Sequence, residues 1–342
     1  MSETRAGEPF NPYMVIDIPR KSHGEDAPPF IYPSSSGTWL GVFDGMGGAG
    51  ATRYETPNGK QSGAYIASRT AANALFNWLV SGTHPQVPLN DQIYEVVRSS
   101  LSARASELSA EPSRLKSKLI RTLPTTLALA SISAASEPNR VRVEAFWTGD
   151  SRVYVQSAWG LLQLTTDHLS TSLDAFENLT QDSPLSNCAS ADQDFFVESL
   201  PITCQVPLIA IAATDGCFGY VKSPLFFEDL LLGTLFSSHS TTEWSHLLGE
   251  SLSKITADDV SLAAVVVGVN SFDGLKQQLR KRRDSISAQA TRLREAEARS
   301  VAAAAAAIRS REEFEASLRT TWESYRENYE AKFRTYRSSG GS

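Results

Sequence analysis

The order of apolar and polar positions divides most of this chain into strands. Tyr13-Met14-Val15-Ile16-Asp17-Ile18 alternates with a period of two and predicts a half-buried strand. Val141–Thr148 (VRVEAFWT) does the same, and Arg152–Gln156 continues it after a turn at Gly149-Asp150. Thr38–Phe43, Pro207–Thr214 (PLIAIAAT) and Ser261–Val269 (SLAAVVVGV) are largely apolar and predict buried strands. Within Leu119–Ile132, Pro124-Thr125-Thr126 leads into another such run. Gly63–Val80 and Asp91–Ser109 space their apolar residues as core-facing helices do. Pro28–Gly37, rich in Pro, Ser and Gly, predicts a loop. Thr171–Leu200, polar and rich in Asp and Asn, predicts a loop with short helical pieces, and residues 1–12 a flexible lead-in. Strands set this close predict antiparallel hairpins within an α+β fold.

From Leu275 to Arg337 the pattern changes. There is no Gly or Pro, Ala302–Ala307 is an unbroken alanine run, and strong helix formers dominate. One continuous helix is predicted, with Leu318, Trp322, Tyr325, Tyr329, Phe333 and Tyr336 in an aromatic stripe that something must cover. Packing on the same chain, self-association and docking to another protein are the readings open; a membrane surface is the least favoured.

Composition adds two constraints. The 342 residues are 41% hydrophobic and 20% charged, with no apolar run near the roughly 20 residues a membrane span needs and no secretory signal at the N-terminus. Three cysteines without CxxC spacing (Cys188, Cys204, Cys217) argue for reduced thiols in a cytoplasmic protein. The predicted helix carries 15 Lys and Arg against 9 Asp and Glu, a balance of +6. The whole chain is −6, which leaves −12 for the body, a poor surface for nucleic acid.

The chemistry gathers at strand ends. Leu40-Gly41-Val42-Phe43-Asp44-Gly45-Met46-Gly47-Gly48 runs apolar into an aspartate and breaks at glycines. Alone, Asp44 could simply open a tight turn. Asp150, Asp215 and Asp258 also stand at strand ends, and four such carboxylates predict convergence on one cluster. Clustered carboxylates repel unless cations neutralise them. With oxygen ligands and no Cys or paired His, hard ions such as Mg²⁺ or Mn²⁺ fit better than Zn²⁺. A two-metal hydrolytic site, with a bridging hydroxide attacking a phosphoryl group, follows as the expectation.

Five segments in order, DGMGG (Asp44–Gly48), TGDSRVYV (Thr148–Val155), LTTDH (Leu164–His168), ATDGCFGYV (Ala213–Val221) and ADDVSLAAVVVG (Ala257–Gly268), resemble the type 2C, or PPM, family of metal-dependent serine/threonine phosphatases. The resemblance covers residues 13–270 and leaves 275–337 outside it. It implies a sandwich of two antiparallel sheets flanked by helices, with Mn²⁺ or Mg²⁺ in a cleft at one end. By resemblance Asp44 bridges two ions and the Gly45 carbonyl completes one shell. Asp215 and Asp258 hold the other ion, and Asp150 belongs to a weaker third site. Glu25 and Asp26 match the acidic pair that orders water. The family's phosphate-gripping Arg is Lys21 here, with Arg20 beside it as a second candidate. Met46 stands where eukaryotic members carry a proton-donating histidine, as in bacterial members, so the leaving-group proton would come from metal-bound water or another side chain, with His23 one candidate. Arg152 and His168 read as structural. The implied partners are phosphoprotein substrates and a Ser/Thr kinase or its targets; the rival is a phosphatase-shaped interaction protein acting through its C-terminal helix.

Overall fold

A computed structural model describes residues 10–20, 24–82, 88–108, 120–170 and 184–331. One five-stranded antiparallel sheet has the order β1 (Tyr13–Ile18), β12 (Val260–Val267), β11 (Leu208–Ala213), β8 (Arg152–Ser157), β9 (Gly160–Gln163). The other has the order β10 (Glu198–Gln205), β7 (Arg140–Thr148), β6 (Leu127–Ala134), β3 (Gly37–Phe43), β2 (Ala27–Ser34). Alternation in the central strands feeds two cores at once. Leu40 and Val42, Ala128 and Ala130 meet Ala210, Ala212, Ala263 and Val265 between the sheets. The intervening Phe43, Leu127 and Leu129 face α1 (Gly63–Ser81) and α2 (Leu89–Glu107). Ile209, Ile211, Leu262 and Ala264 face the one-turn α3 (Asp215–Phe218), α4 (Pro224–Ser237) and α5 (Thr241–Ile255) on the far side. Strands buried on both faces need apolar residues at every position, which is why these runs do not alternate. The result is the helix-flanked pair of antiparallel sheets that the resemblance implied.

Two predicted loops differ from what is found. Pro28–Gly37 is mostly strand: β2 carries Pro28, Pro29 and Pro33, and it can because it is an edge strand with one side free of ladder bonds. In Thr171–Leu200, residues 171–183 lie outside the described residues, no helix occurs among the rest, and Glu198 already begins β10.

The chain divides into two compact units, Met1–Ser287 and Ala288–Ser342. The long helix α6 (Phe272–Tyr329) starts in the first, where Phe272, Leu275 and Leu279 join the core of α4 and α5. Arg282 forks onto Glu228 of α4 at 2.7 and 2.6 Å. In the second unit the helix exposes Val301, Ile308, Leu318, Trp322, Tyr325 and Tyr329. Phe333 and Tyr336 of the predicted stripe lie outside the described residues. No described helix is long and apolar enough to cross a membrane.

Candidate active site

Strand register brings the carboxylates together. Ala213 of β11 pairs with Arg152 of β8 and with Leu262 of β12, so Asp215 emerges beside Asp150 and Asp258. In the facing sheet, Val42 pairs with Ala128 and Leu127 with Thr148, which sets the end of β3 against the same edge. There the Asp44 carbonyl accepts the Thr126 N–H (2.9 Å) and the Thr125 hydroxyl (2.6 Å). Gly149 turns the chain at φ 98°, and a Cβ there would run into the Thr126 side chain, so the turn that presents Asp150 requires glycine.

Glu25, Asp44, Gly45, Asp150, Asp215 and Asp258 line one cleft of about 710 Å³. Asp26 is buried close to them, accepting the Thr214 hydroxyl at 3.0 Å. Glu25 accepts from Ser62 Oγ at 2.8 Å, and Gly47 lacks the Cβ that would collide with its carboxylate. Burial strips these groups of water and they face one another. Desolvation first, then the neighbouring carboxylates, pushes Asp26 up to about 7, Asp150 to about 8 and Asp215 to about 6, with Asp44 held well above its ordinary value. Asp26, Asp150 and Asp215 all stand close enough to Asp44 to raise the cost of ionising it, so the cluster titrates as one coupled group.

Would metal ions fit here? Among the described residues, no three carboxylate, thiolate or imidazole side chains are already drawn around one point closely enough to hold an ion. The donor chemistry nevertheless suits hard cations: an all-oxygen set at the wall of a cleft, in which Asp44, Asp150 and Asp215 have raised affinities for positive charge that protons now meet. A divalent ion would replace those protons.

This gives a pH signature for the metal-free protein. Raised carboxyls hold protons in the folded state that they release on unfolding, so stability falls as pH rises toward about 8. His168, kept neutral by burial, works in the opposite sense at lower pH, which makes about pH 6.5 to 8.5 the clean window. In EDTA the melting temperature is expected to decline across that window, and Mn²⁺ to raise it more at the alkaline end. A flat metal-free profile would count against the coupled cluster.

The remaining sequence-predicted residues separate. The Arg20 guanidinium donates to the carbonyls of Ser253 (2.6 Å) and Thr256 at the end of α5. It therefore caps a helix, which corrects the expectation that it grips phosphate. Lys21 and His23 lie outside the described residues. Arg152, as expected, is structural: its guanidinium pairs with Asp167 at 2.8 and 2.5 Å. His168 Nδ1 accepts the Gly149 N–H at 3.0 Å and faces the Asn187 amide at 2.9 Å, so it braces the turn before Asp150.

The roles of two residues escape sequence reasoning. Asp259 accepts the backbone N–H groups of Arg20 (2.7 Å), Glu25 (2.6 Å) and Asp26 (3.3 Å), so it shapes the loop that presents the acidic pair. No local pattern signals contacts across more than 230 residues. Arg53 lines the cleft from the hairpin β4 (Arg53–Thr56) and β5 (Gly59–Ser62). Here a signal existed: Thr56-Pro57-Asn58-Gly59 is a turn sequence.

No family model and no curated protein matches this sequence. Solved structures do. The serine/threonine phosphatase Stp1 from Staphylococcus aureus aligns over 78% of this chain and 100% of its own, at TM-score 0.54 and 17% identity. A bacterial serine phosphatase aligns over 75% and 96%, at TM-score 0.53 and 16% identity. A C. elegans sex determining protein covers 81% of this chain and 69% of its own, at TM-score 0.55 and 15% identity. At these identities the likeness is one of fold.

Proposed function

We propose that the chain is a Mn²⁺- or Mg²⁺-dependent phosphoprotein phosphatase acting on phosphoserine and phosphothreonine, with a phosphatase domain over 13–270 and a helical element over 275–337 whose first turns pack on that domain. The observation that carries this is the convergence of Glu25, Asp44, Asp150, Asp215 and Asp258 in one cleft, at the ends of strands far apart in sequence. Two ions, with a third more weakly held, would be ligated by Asp44, the Gly45 carbonyl, Asp215, Asp258 and Asp150. When bound, they supply activated water and neutralise charge on the phosphoryl group.

The protein's own groups do the rest. Asp44 is positioned centrally among Asp26, Asp150 and Asp215; Asp26 and Glu25, fixed by Thr214 and Ser62, orient water. Arg53 is the basic side chain among the described residues lining the cleft, and with Lys21 it is the group we assign to the substrate phosphate. Attack is direct, with no phosphoenzyme. Cys217, next to Asp215 in the chain but one, is fully buried with its thiol raised well above the ordinary range, and Cys188 is pushed up to about 11, so neither serves as nucleophile. Met46 lines the cleft and has no proton to give the leaving alkoxide. The setting we infer is a bacterial-type, cytoplasmic signalling enzyme that opposes a Ser/Thr kinase.

The exposed face of α6 supports the second reading, an interaction protein with slow or absent catalysis. The decisive assay is hydrolysis of a small aryl phosphate and a phosphothreonine peptide with Mn²⁺ and with EDTA. Turnover is expected only with the metal. Two ions bound by calorimetry without turnover would favour the interaction protein, and no metal binding would sink both the site and the mechanism.

A further inference from the structure

The second unit presents a seam whose polar positions fit a second copy of itself. From Val301 the exposed face of α6 advances by alternate steps of three and four: Val301, Ala304, Ile308, Arg311, Glu315, Leu318, Trp322, Tyr325, Tyr329. That is a heptad seam about 42 Å long. Its large apolar members are between 44 and 64% exposed, far more surface than an isolated helix leaves in water without cost. Trp322, Tyr325 and Tyr329 already cluster on one another, with ring centroids 5.6 to 6.5 Å apart.

Three details choose the occupant. The seam is interrupted only by Arg311 and Glu315, adjacent in it and opposite in charge, now paired within the helix at 3.1 Å. In an antiparallel pair with the two-fold beside residue 313, Arg311 faces Glu315 of the second copy, twice over. The same register sets Ile308 against Leu318 of the second copy and Val301 against its Tyr325. It also sets Ala304, the smallest seam residue, against the bulk of Trp322. Large against small is how helix faces interdigitate. Phe314, 62% exposed and outside the seam proper, falls beside the two-fold, where it and its copy flank the charged layer. A parallel pair would instead stack Arg311 on Arg311, Glu315 on Glu315 and Trp322 on Trp322. One polar layer in an apolar seam fixes register and orientation at some expense in stability.

We infer that α6 pairs with α6 of a second copy as an antiparallel coiled coil centred beside residue 313, locked in register by reciprocal Arg311–Glu315 bridges. This does not rest on the phosphatase reading, because none of the residues involved lines the cleft.

The test is a charge-swap cycle on the full chain by sedimentation equilibrium. Arg311→Glu and Glu315→Arg are each expected to weaken the dimer about tenfold or more, by setting like charges face to face. The double swap restores complementarity and is expected to recover the affinity. A chain that sediments as a monomer at every concentration overturns the inference, and so does a double swap as weak as the singles. Orientation is read by crosslinking in a Cys204→Ser background, since Cys204 is the one partly exposed thiol among the described residues. Mixed Ile308→Cys and Leu318→Cys chains should crosslink with each other. Ile308→Cys chains that crosslink among themselves instead would overturn the antiparallel arrangement. Helicity and aryl phosphate turnover, measured alongside, should not change.

Discussion

Asp215→Asn is expected to abolish metal-dependent turnover while making the metal-free protein more stable. The two effects have one cause. Asp215 is half-buried in the cleft wall beside Asp44 and Asp258, and desolvation with the Asp258 charge disfavours its ionised form until a cation arrives. An amide keeps the shape but removes the charge that would hold the ion. The fall in kcat/KM should exceed the roughly 10–100-fold typical of groups that merely support ligands. In thermal melts the variant should gain stability in EDTA and lose most of the stabilisation that Mn²⁺ gives the wild type. Near wild-type turnover would remove Asp215 from the ligand set.

The second large effect concerns stability. Arg152→Leu should cost about 3–5 kcal/mol, because it takes the guanidinium away from the buried Asp167 carboxylate. The side chains are 3 and 4% exposed, the guanidinium forks onto the carboxylate, and its flat face lies 4.1 Å from the Phe218 ring centroid. For a body of this size the loss corresponds to a drop of roughly 10 °C or more in melting temperature. Arg152→Leu with Asp167→Leu should regain much of it, since the buried carboxylate is removed along with its guanidinium. If the single variant melts within about 2 °C of wild type, Asp167 is solvated and the pair is not buried in solution.

The central strands were legible because burial on both faces writes itself as uninterrupted apolar sequence. Pro207–Thr214 and Ser261–Val269 became β11 and β12 with small shifts at their ends. The edge strand β2 was hidden by Pro28, Pro29 and Pro33, which an edge tolerates and a centre does not. Helix α4 has no clean period. Phe227, Leu231, Leu232 and Leu235 are buried while Phe226, Leu230 and Phe236 pack partly against the same core, so apolar residues surround it. Helix α5 was readable and not read: Trp244, Leu248 and Leu252 recur every four residues, and Ser240 caps the Glu243 N–H. At the site, the aspartates announced themselves by ending apolar strands. Asp259 and Arg53 did not, because their roles depend on which distant backbone they meet.

Asp259 also decides when the site can exist. Its bonds to the amides of Arg20, Glu25 and Asp26 join the beginning of the fold to its last strand, as does the pairing of β1 with β12. A chain emerging from the ribosome has carried Glu25, Asp26 and Asp44 for more than 200 residues before Asp258 and Asp259 appear. Until then β1 lacks the strand it pairs with, and the acidic loop lacks the carboxylate that shapes it. Contacts this distant in sequence close slowly, after the entropy of the whole intervening loop has been overcome. The cluster therefore stays unassembled until Asp258 and Asp259 have been made, and its mutually repelling carboxylates are forced together only once the rest of the sandwich can hold them.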